Sequence, residues 1–360
     1  MDFTFSEDAE MVRQTVHEFV RRELLPMEPK FLNARNPAER SEIAKNATDK
    51  LKETGLFSAG VPEEFGGGGL GPVEVCIIAE ELSFSIIPVE WGDYTPLLYE
   101  CSESQRESFL LPVVAGEKRY ALAFREPEPF SGPDEMKTSA RGEGNEYILD
   151  GVKELSRAEF DFCLVFARTA EGITCFIIDE GCSGWEVDRS AEPARLVLSS
   201  CRVNADRMLG MPGKALFLGQ RWFALARVSR SAAITGVCRR ILETTALYAR
   251  DWKSMNEPII SRKEIQRTLS EMAGGYESLR WLVYRTAWLA QTGAQFQYDS
   301  LLLKLHAQTM LNRMVNDSIR VHGGTNPPVE HWLIRASGEG EALDMLRLAV
   351  SHEVISRYTG

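Results

Sequence analysis

Residues 55–69 read Gly55-Leu56-Phe57-Ser58-Ala59-Gly60-Val61-Pro62-Glu63-Glu64-Phe65-Gly66-Gly67-Gly68-Gly69. Gly55 stops the helix that precedes it, and the four consecutive glycines release the chain from helical or strand geometry. A glycine run can cradle phosphate, but here no strand precedes it in P-loop register and no Gly-Lys-Ser follows. The stretch therefore reads as a tight turn. It leads into a helix with an apolar stripe of Val75, Ile78, Ala79 and Leu82. Upstream, Ser6 is placed to cap a helix whose stripe is Val12, Val16, Phe19 and Val20, with Pro26 as its end. A second helix runs to Leu51.

Outward from this stretch the chain falls into three zones. Residues 1–118 are helical. Residues 119–215 change to β-rich runs at 147–149, 162–167, 175–178 and 196–198, separated by turn residues such as Asp150-Gly151 and Gly172; this predicts a small antiparallel β domain. Residues 216–360 return to helical spacing, with stripes of Ala233, Val237, Ile241 and Leu242, of Leu269, Met272, Tyr276 and Leu279, and of Leu302, Leu305, Met310 and Met314. Long amphipathic helices with short connections predict a helix bundle. The fold class is α+β and mostly α.

The 360 residues are 44% hydrophobic and 26% charged, an ordinary globular composition. Against 41 Lys and Arg stand 52 Asp and Glu, a net charge of −11 that disfavours nucleic acid and anionic lipid as partners. No apolar run approaches the roughly 20 residues of a membrane helix, and the acidic N-terminus lacks the pattern of a signal peptide. Seven scattered cysteines without a C-x-x-C predict reduced thiols and a cytoplasmic setting. The five histidines form no metal-binding pair, so no metal site is expected.

Several segments give this order of zones a specific likeness. They are Gly55-Leu56-Phe57 with Val61 to Gly67, Glu80-Glu81-Leu82, Ala121-Leu122 through Glu126-Pro127, and Leu196 through Arg202-Val203-Asn204 to Leu209-Gly210. Tyr248-Ala249, Pro258-Ile259, Gln266, Leu269 and Met272, and Val321-His322-Gly323-Gly324 complete the set. Together they resemble the acyl-CoA dehydrogenase family across nearly the whole chain. The resemblance implies an N-terminal helical domain, a middle β domain and a C-terminal four-helix bundle. It also implies FAD as cofactor and α,β-desaturation of an acyl thioester, on CoA or a carrier protein. A carboxylate removes the α proton and the β hydrogen leaves as hydride to the flavin; burial suits a Glu to that role by raising its pKa.

Carried over residue by residue, the resemblance makes Glu339 the base, with Glu341 as fallback, because the alternative position before Arg227 is Ala226. Phe124 and Arg125 fall on the flavin-side strand, Gly323 and Gly324 on the flavin-side glycine pair, and Ser131 (or Asp134) and Arg227 on the substrate side. Departures cluster on the cofactor. Arg125 replaces the family Thr, and the aromatic-Ile-Thr run expected after Lys153 is shortened to Glu154-Leu155-Ser156-Arg157. Trp252 stands where the family has an Arg that reaches a neighbouring subunit's FAD, and Arg320 replaces a Gln. Arg125, Arg157 and Arg320 are candidate pyrophosphate ligands, and Trp252 a candidate stacking surface. Two other readings stay open: a non-catalytic or half-catalytic subunit of a heteromeric dehydrogenase, and a family member recruited to non-redox chemistry. Expected partners are an acyl-CoA or acyl-carrier-protein substrate, electron-transfer flavoprotein or a similar acceptor, and further subunits in a homodimer, tetramer or heteromer. Trp281, Trp288 and Trp332 suit oligomer faces.

Overall fold

The computed structural model describes residues 4–92, 96–127, 132–323 and 350–351. They form two units. One combines residues up to 60, 68–92 and the chain from 224 on; the other comprises 61–67 and the chain from 93 to 223.

In the helical unit, α1 (Glu7–Phe19) is capped by the Ser6 side chain, which accepts the Ala9 N–H at 3.2 Å. Its first turn carries Glu7, Asp8 and Glu10, the sign a helix N-terminus favours. The α geometry stops at Phe19, ahead of the expected end at Pro26. Residues 20–24 form a wider turn in which the Leu25 N–H reaches the Val20 carbonyl. A proline ring crowds the carbonyl four residues back, and the widened turn relieves that clash. Helix α2 (Pro37–Glu53) begins at Asn36, whose side chain accepts the Glu39 N–H, and ends before the left-handed Gly55 (φ +76°). Helix α3 (Pro72–Leu82) is buried from Cys76 to Leu82.

Three long helices follow: α4 (Ala215–Asp251), whose residues from 224 on belong to this unit, α5 (Lys263–Gln291) and α6 (Gln297–Val321). One core runs through Leu24, Leu51, Ile78, Ile241, Leu279 and Met314. On α6 the buried face is Leu303, Ala307, Met310, Leu311 and Met314, with Leu302 and Leu305 at its margin. The consecutive leucines 301–303 carry no period of their own, so packing selects among them. Close approach of α3 and α4 requires Gly236: a Cβ there would lie 2.0 Å from the Glu80 carbonyl oxygen.

Three buried carboxylates tie these helices together. Glu81 receives a bidentate pair from Arg239, both contacts 2.8 Å, and lies 3.1 Å from His17 Nδ1. Glu80 accepts from Tyr276 Oη (3.2 Å), Arg280 Nε (3.1 Å) and Tyr284 Oη. Glu28 accepts from Arg240 (2.9 Å), the Ser85 hydroxyl (2.9 Å) and the Ile86 N–H (3.1 Å).

The β unit holds β1 (Tyr120–Ala123), β2 (Ser139–Glu143), β3 (Glu146–Glu154), β4 (Phe162–Thr169), β5 (Gly172–Ile178), β6 (Ser183–Asp188), β7 (Arg195–Asn204) and β8 (Met208–Leu209). The order is β6-β7-β3-β2-β4-β5-β8, with β1 against β4. Pairing is antiparallel except that β1 and the start of β2 run parallel to β4. Strand β4 shows why its sequence is an unbroken apolar run. Phe162, Leu164 and Phe166 enter one core with Phe65, Leu97 and Phe109, while Cys163, Val165 and Ala167 enter another with Leu149, Phe176 and Val203. Asp150-Gly151, expected as a turn, lies inside β3 as an irregularity in the β3–β7 ladder. Gly151 has φ +149°, and a Cβ there would meet Thr138 Oγ1 at 2.5 Å. Asp150 accepts the N–H of Ser200, which is left-handed at φ +50° on the facing strand.

The buried Glu81–Arg239 pair sets a stability prediction. Arg239→Met strands a carboxylate in the core and is expected to destabilise by about 3–5 kcal/mol in chemical denaturation. Removing the exposed Arg267–Glu271 pair should change stability far less. Equal losses from the two variants would refute this account.

Candidate functional site

Strand β1 leaves its ladder with β4 at Ala123, the last pair being Ala123 with Val165. Residues 122–126 then run beside the end of β3. Leu122 N–H donates to Ser156 Oγ (2.8 Å), Ser156 N–H to the Leu122 carbonyl (3.0 Å) and Glu154 N–H to the Arg125 carbonyl (2.9 Å). The Phe124 ring packs edge-on to Phe166 (5.1 Å) and tilted on Phe223 (5.4 Å). The Arg125 side chain is 36% exposed, with Nε 3.7 Å from Glu154.

Beneath this segment sits Lys153, whose side chain is fully buried. Its Nζ donates to the Phe124 carbonyl (3.1 Å) and to Glu126 Oε1 (2.9 Å). Glu126 also accepts the N–H groups of Lys137 and Thr138, each at 2.8 Å. Burial pushes the Lys153 ammonium down to about 8, against the upward pull of Glu126. Burial alone would raise the Glu126 carboxyl, but its hydrogen bonds to Thr138, Lys137 and Lys153 hold it at about 2. Lys153 lies on β3 beyond Asp150-Gly151, which reads as a turn in the sequence, so its burial was not legible there. Its pairing with Glu126 was not legible either, because the two are brought together only by the sheet.

A second group lies in the helical unit, at the C-terminal ends of α4 and α6. Trp252 is 56% exposed and stacks on Tyr248 with centroids 5.6 Å apart and planes 13° from parallel. Tyr248 in turn packs on His322 at 4.1 Å. His322 Nδ1 lies 2.8 Å from the Ser318 carbonyl, and burial pushes the ring's pKa down. Gly323 follows at φ +72°. The fold thus brings Trp252 and the residue before Gly323 onto one aromatic stack.

Other candidates lie apart. Arg227 is half-buried on α4, where its carbonyl accepts the Ser231 hydroxyl. From 227 to the helix end at Asp251 is roughly 36 Å at 1.5 Å per residue. Arg320 is mostly exposed and paired to Asp317 at 2.7 Å, and Arg157 is exposed on the β unit. The Asp134 carbonyl accepts from Arg168 at 3.0 Å. Ser131, Gly324, Trp332, Glu339 and Glu341 lie outside the described residues. Among those described, no cluster of three His, Cys, Asp or Glu side chains is placed to hold a metal ion, and no helix is long and apolar enough to cross a membrane.

The arrangement pairs an α+β architecture with a clamped strand exit on the β unit and an exposed aromatic stack on the helical unit. The family model for the acyl-CoA dehydrogenase N-terminal domain matches residues 6–117, and that for the C-terminal domain matches 217–336. Together they span more than half of the sequence, and the chain belongs to the acyl-CoA dehydrogenase family, an oxidoreductase family. The 3-(aryl)acrylate reductase of Clostridium sporogenes is 28% identical over 89% of this chain and 89% of its own length. The mouse mitochondrial short-chain specific acyl-CoA dehydrogenase is 27% identical over 91% of this chain and 84% of its own. The solved structure of butyryl-CoA dehydrogenase from Megasphaera elsdenii superposes with a TM-score of 0.83 at 23% identity, covering 99% of this chain and all of that one.

The carboxylate clamp predicts an acid limb of stability. The Glu126 carboxyl falls from an ordinary 4.5 to about 2 on folding. Its contribution is therefore full above pH 4.5 and lost as pH falls through about 2. Glu126→Gln should flatten that limb of melting temperature against pH. An unchanged limb would show that other carboxylates set it.

Proposed function

We propose that this chain holds FAD and moves a hydrogen pair across the α–β carbon bond of an acyl thioester, carried by CoA or a carrier protein. Family membership over both ends of the chain carries the reading. The residues described on the flavin-side strand fit such a group: Phe124 offers an aromatic surface and Arg125 a guanidinium of the geometry that suits a pyrophosphate. Bound FAD would supply the hydride acceptor, or the donor in the reductive direction. Glu339, with Glu341 in reserve, is assigned to the α proton, which passes to its carboxylate as the Cα–H bond breaks. Ser131 and Arg227 are assigned to the thioester, and Gly323 and Gly324 to backbone approach at the cofactor.

Trp252 and Arg227 are too far apart along one helix to grip the same thioester. Trp252 is therefore assigned to the nucleotide end of a cofactor held by another subunit, the role that the resemblance gives the Arg it replaces. Assembly is supported by Trp281 and Trp288, seven residues apart on α5 and 51% and 57% exposed. The partner subunit is a second copy or a homologue. Both a dehydrogenase and a reductase stand among the relatives, so direction rests on the redox partner, for which electron-transfer flavoprotein is proposed. All seven cysteines are free thiols, which suits a cytosolic setting.

A visible spectrum of the purified chain, with and without added FAD, tests the reading. About one flavin per chain, bleached anaerobically by an acyl-CoA, is expected. Glu339→Gln should keep the colour and lower kcat by roughly 10²–10⁴. A chain colourless even with added FAD cannot act alone; colour restored by a homologous subunit would make it half of a heteromer. Trp252→Ala should weaken FAD retention about tenfold without moving the melting temperature; unchanged retention removes Trp252 from the site.

A further inference from the structure

We infer that Lys153 is a positioning residue for the cofactor: its buried ammonium holds the Phe124 carbonyl on one side of Arg125 and the Glu126 carboxylate on the other, and so sets the course of 124–126. The assignment rests on the flavin reading above.

The geometry carries it. The register of β1 against β4 ends at the pair Ala123 with Val165, and Phe124 is the next residue. Lys153 Nζ takes that carbonyl at 3.1 Å and the Glu126 carboxylate at 2.9 Å. Glu126 is anchored in turn by the Lys137 and Thr138 N–H groups at the approach to β2. The Arg125 carbonyl between them accepts the Glu154 N–H at 2.9 Å. Three successive residues are thus held by two segments of chain, the end of β3 and residues 137–138, while the Arg125 side chain stays partly exposed.

Core stability does not call for this arrangement. The surroundings are apolar: Ala123, Leu149, Val165, Phe176 and Leu196 form the adjacent core. Replacing a buried ion pair by apolar groups of similar volume is often neutral or stabilising. A fully buried lysine is retained here at the one place where the strand leaves its ladder, and what it secures is the direction of the departing backbone. A site loosened by an ångström loses much of its function.

The test uses the full chain and the double variant Glu126→Gln/Lys153→Met, which removes both charges without stranding either, beside Lys153→Met alone. The double variant is expected to fold with wild-type circular dichroism and a melting temperature lowered only by what the Phe124 carbonyl loses with its donor. Flavin per chain should fall about tenfold in affinity, the size of effect that supporting partners of a site command. The flavin absorption maximum should shift, and amide exchange across 122–126 should quicken in the cofactor-free protein. A folded double variant with wild-type flavin affinity, spectrum and exchange overturns the assignment. A double variant that does not fold assigns the pair to core stability and also overturns it. If the wild-type chain takes up no flavin even with a homologous subunit, the proposed function itself fails. Amide exchange, read without cofactor, then still decides whether Lys153 sets the segment's conformation.

Discussion

Two adjacent carboxylates, Glu80 and Glu81, organise the helical unit. They occupy one turn of α3 and are almost wholly buried. Glu81 takes Arg239 from α4 and His17 from α1; Glu80 takes Arg280, Tyr276 and Tyr284 from α5. A buried carboxylate without partners is far more costly than one fully satisfied, so these helices are held to one mutual arrangement. Burial would raise the Glu81 carboxyl, but Arg239 and His17 keep it below its ordinary value. The guanidinium of Arg239 also lies 4.7 Å from the Phe84 ring, which extends the charged contact into the apolar core. Gly236 lets α4 approach the Glu80 carbonyl closely enough for this network to close.

The β unit solves a related problem with a different charge. Its central strand β4 is apolar on both faces, and the ladders satisfy its backbone. The difficulty arises where β1 stops pairing and polar backbone enters a packed interior. Lys153 and Glu126 meet it with opposite charges that neutralise each other while serving the carbonyl and amides nearby. In both units a buried ionic contact appears where chain segments distant in sequence must be fixed, and apolar packing accounts for the remainder.

Much of the architecture was legible from local pattern. Ser6 as a cap, Gly55 as a helix stop, the four β runs and the three long helices follow from side-chain chemistry and period, and the structure has each of them. The failures share one cause. Pro26 acts through the turn before it, Gly151 serves a bulge because Thr138 faces it, and the leucines at 301–303 are sorted by the helices opposite. Each depends on a neighbour that local sequence does not display. The site divides the same way. Phe124 and Arg125 could be placed by motif, whereas the ion pair of Arg125 with Glu154, the stack of Trp252 on Tyr248 and His322, and the clamp by Lys153 required coordinates.

The amino-acid order by itself determined which segments wind, which extend and where chain direction changes, because these follow from backbone freedom and from apolar period over a few residues. It also carried the family, through motifs spread along the chain. The tertiary structure decided which charges are buried and with whom. Glu80 meets Arg280 and Glu126 meets Lys153 only after strands and helices far apart in sequence have packed. Removal from water is what turns those ordinary ionisable side chains into fixed partners.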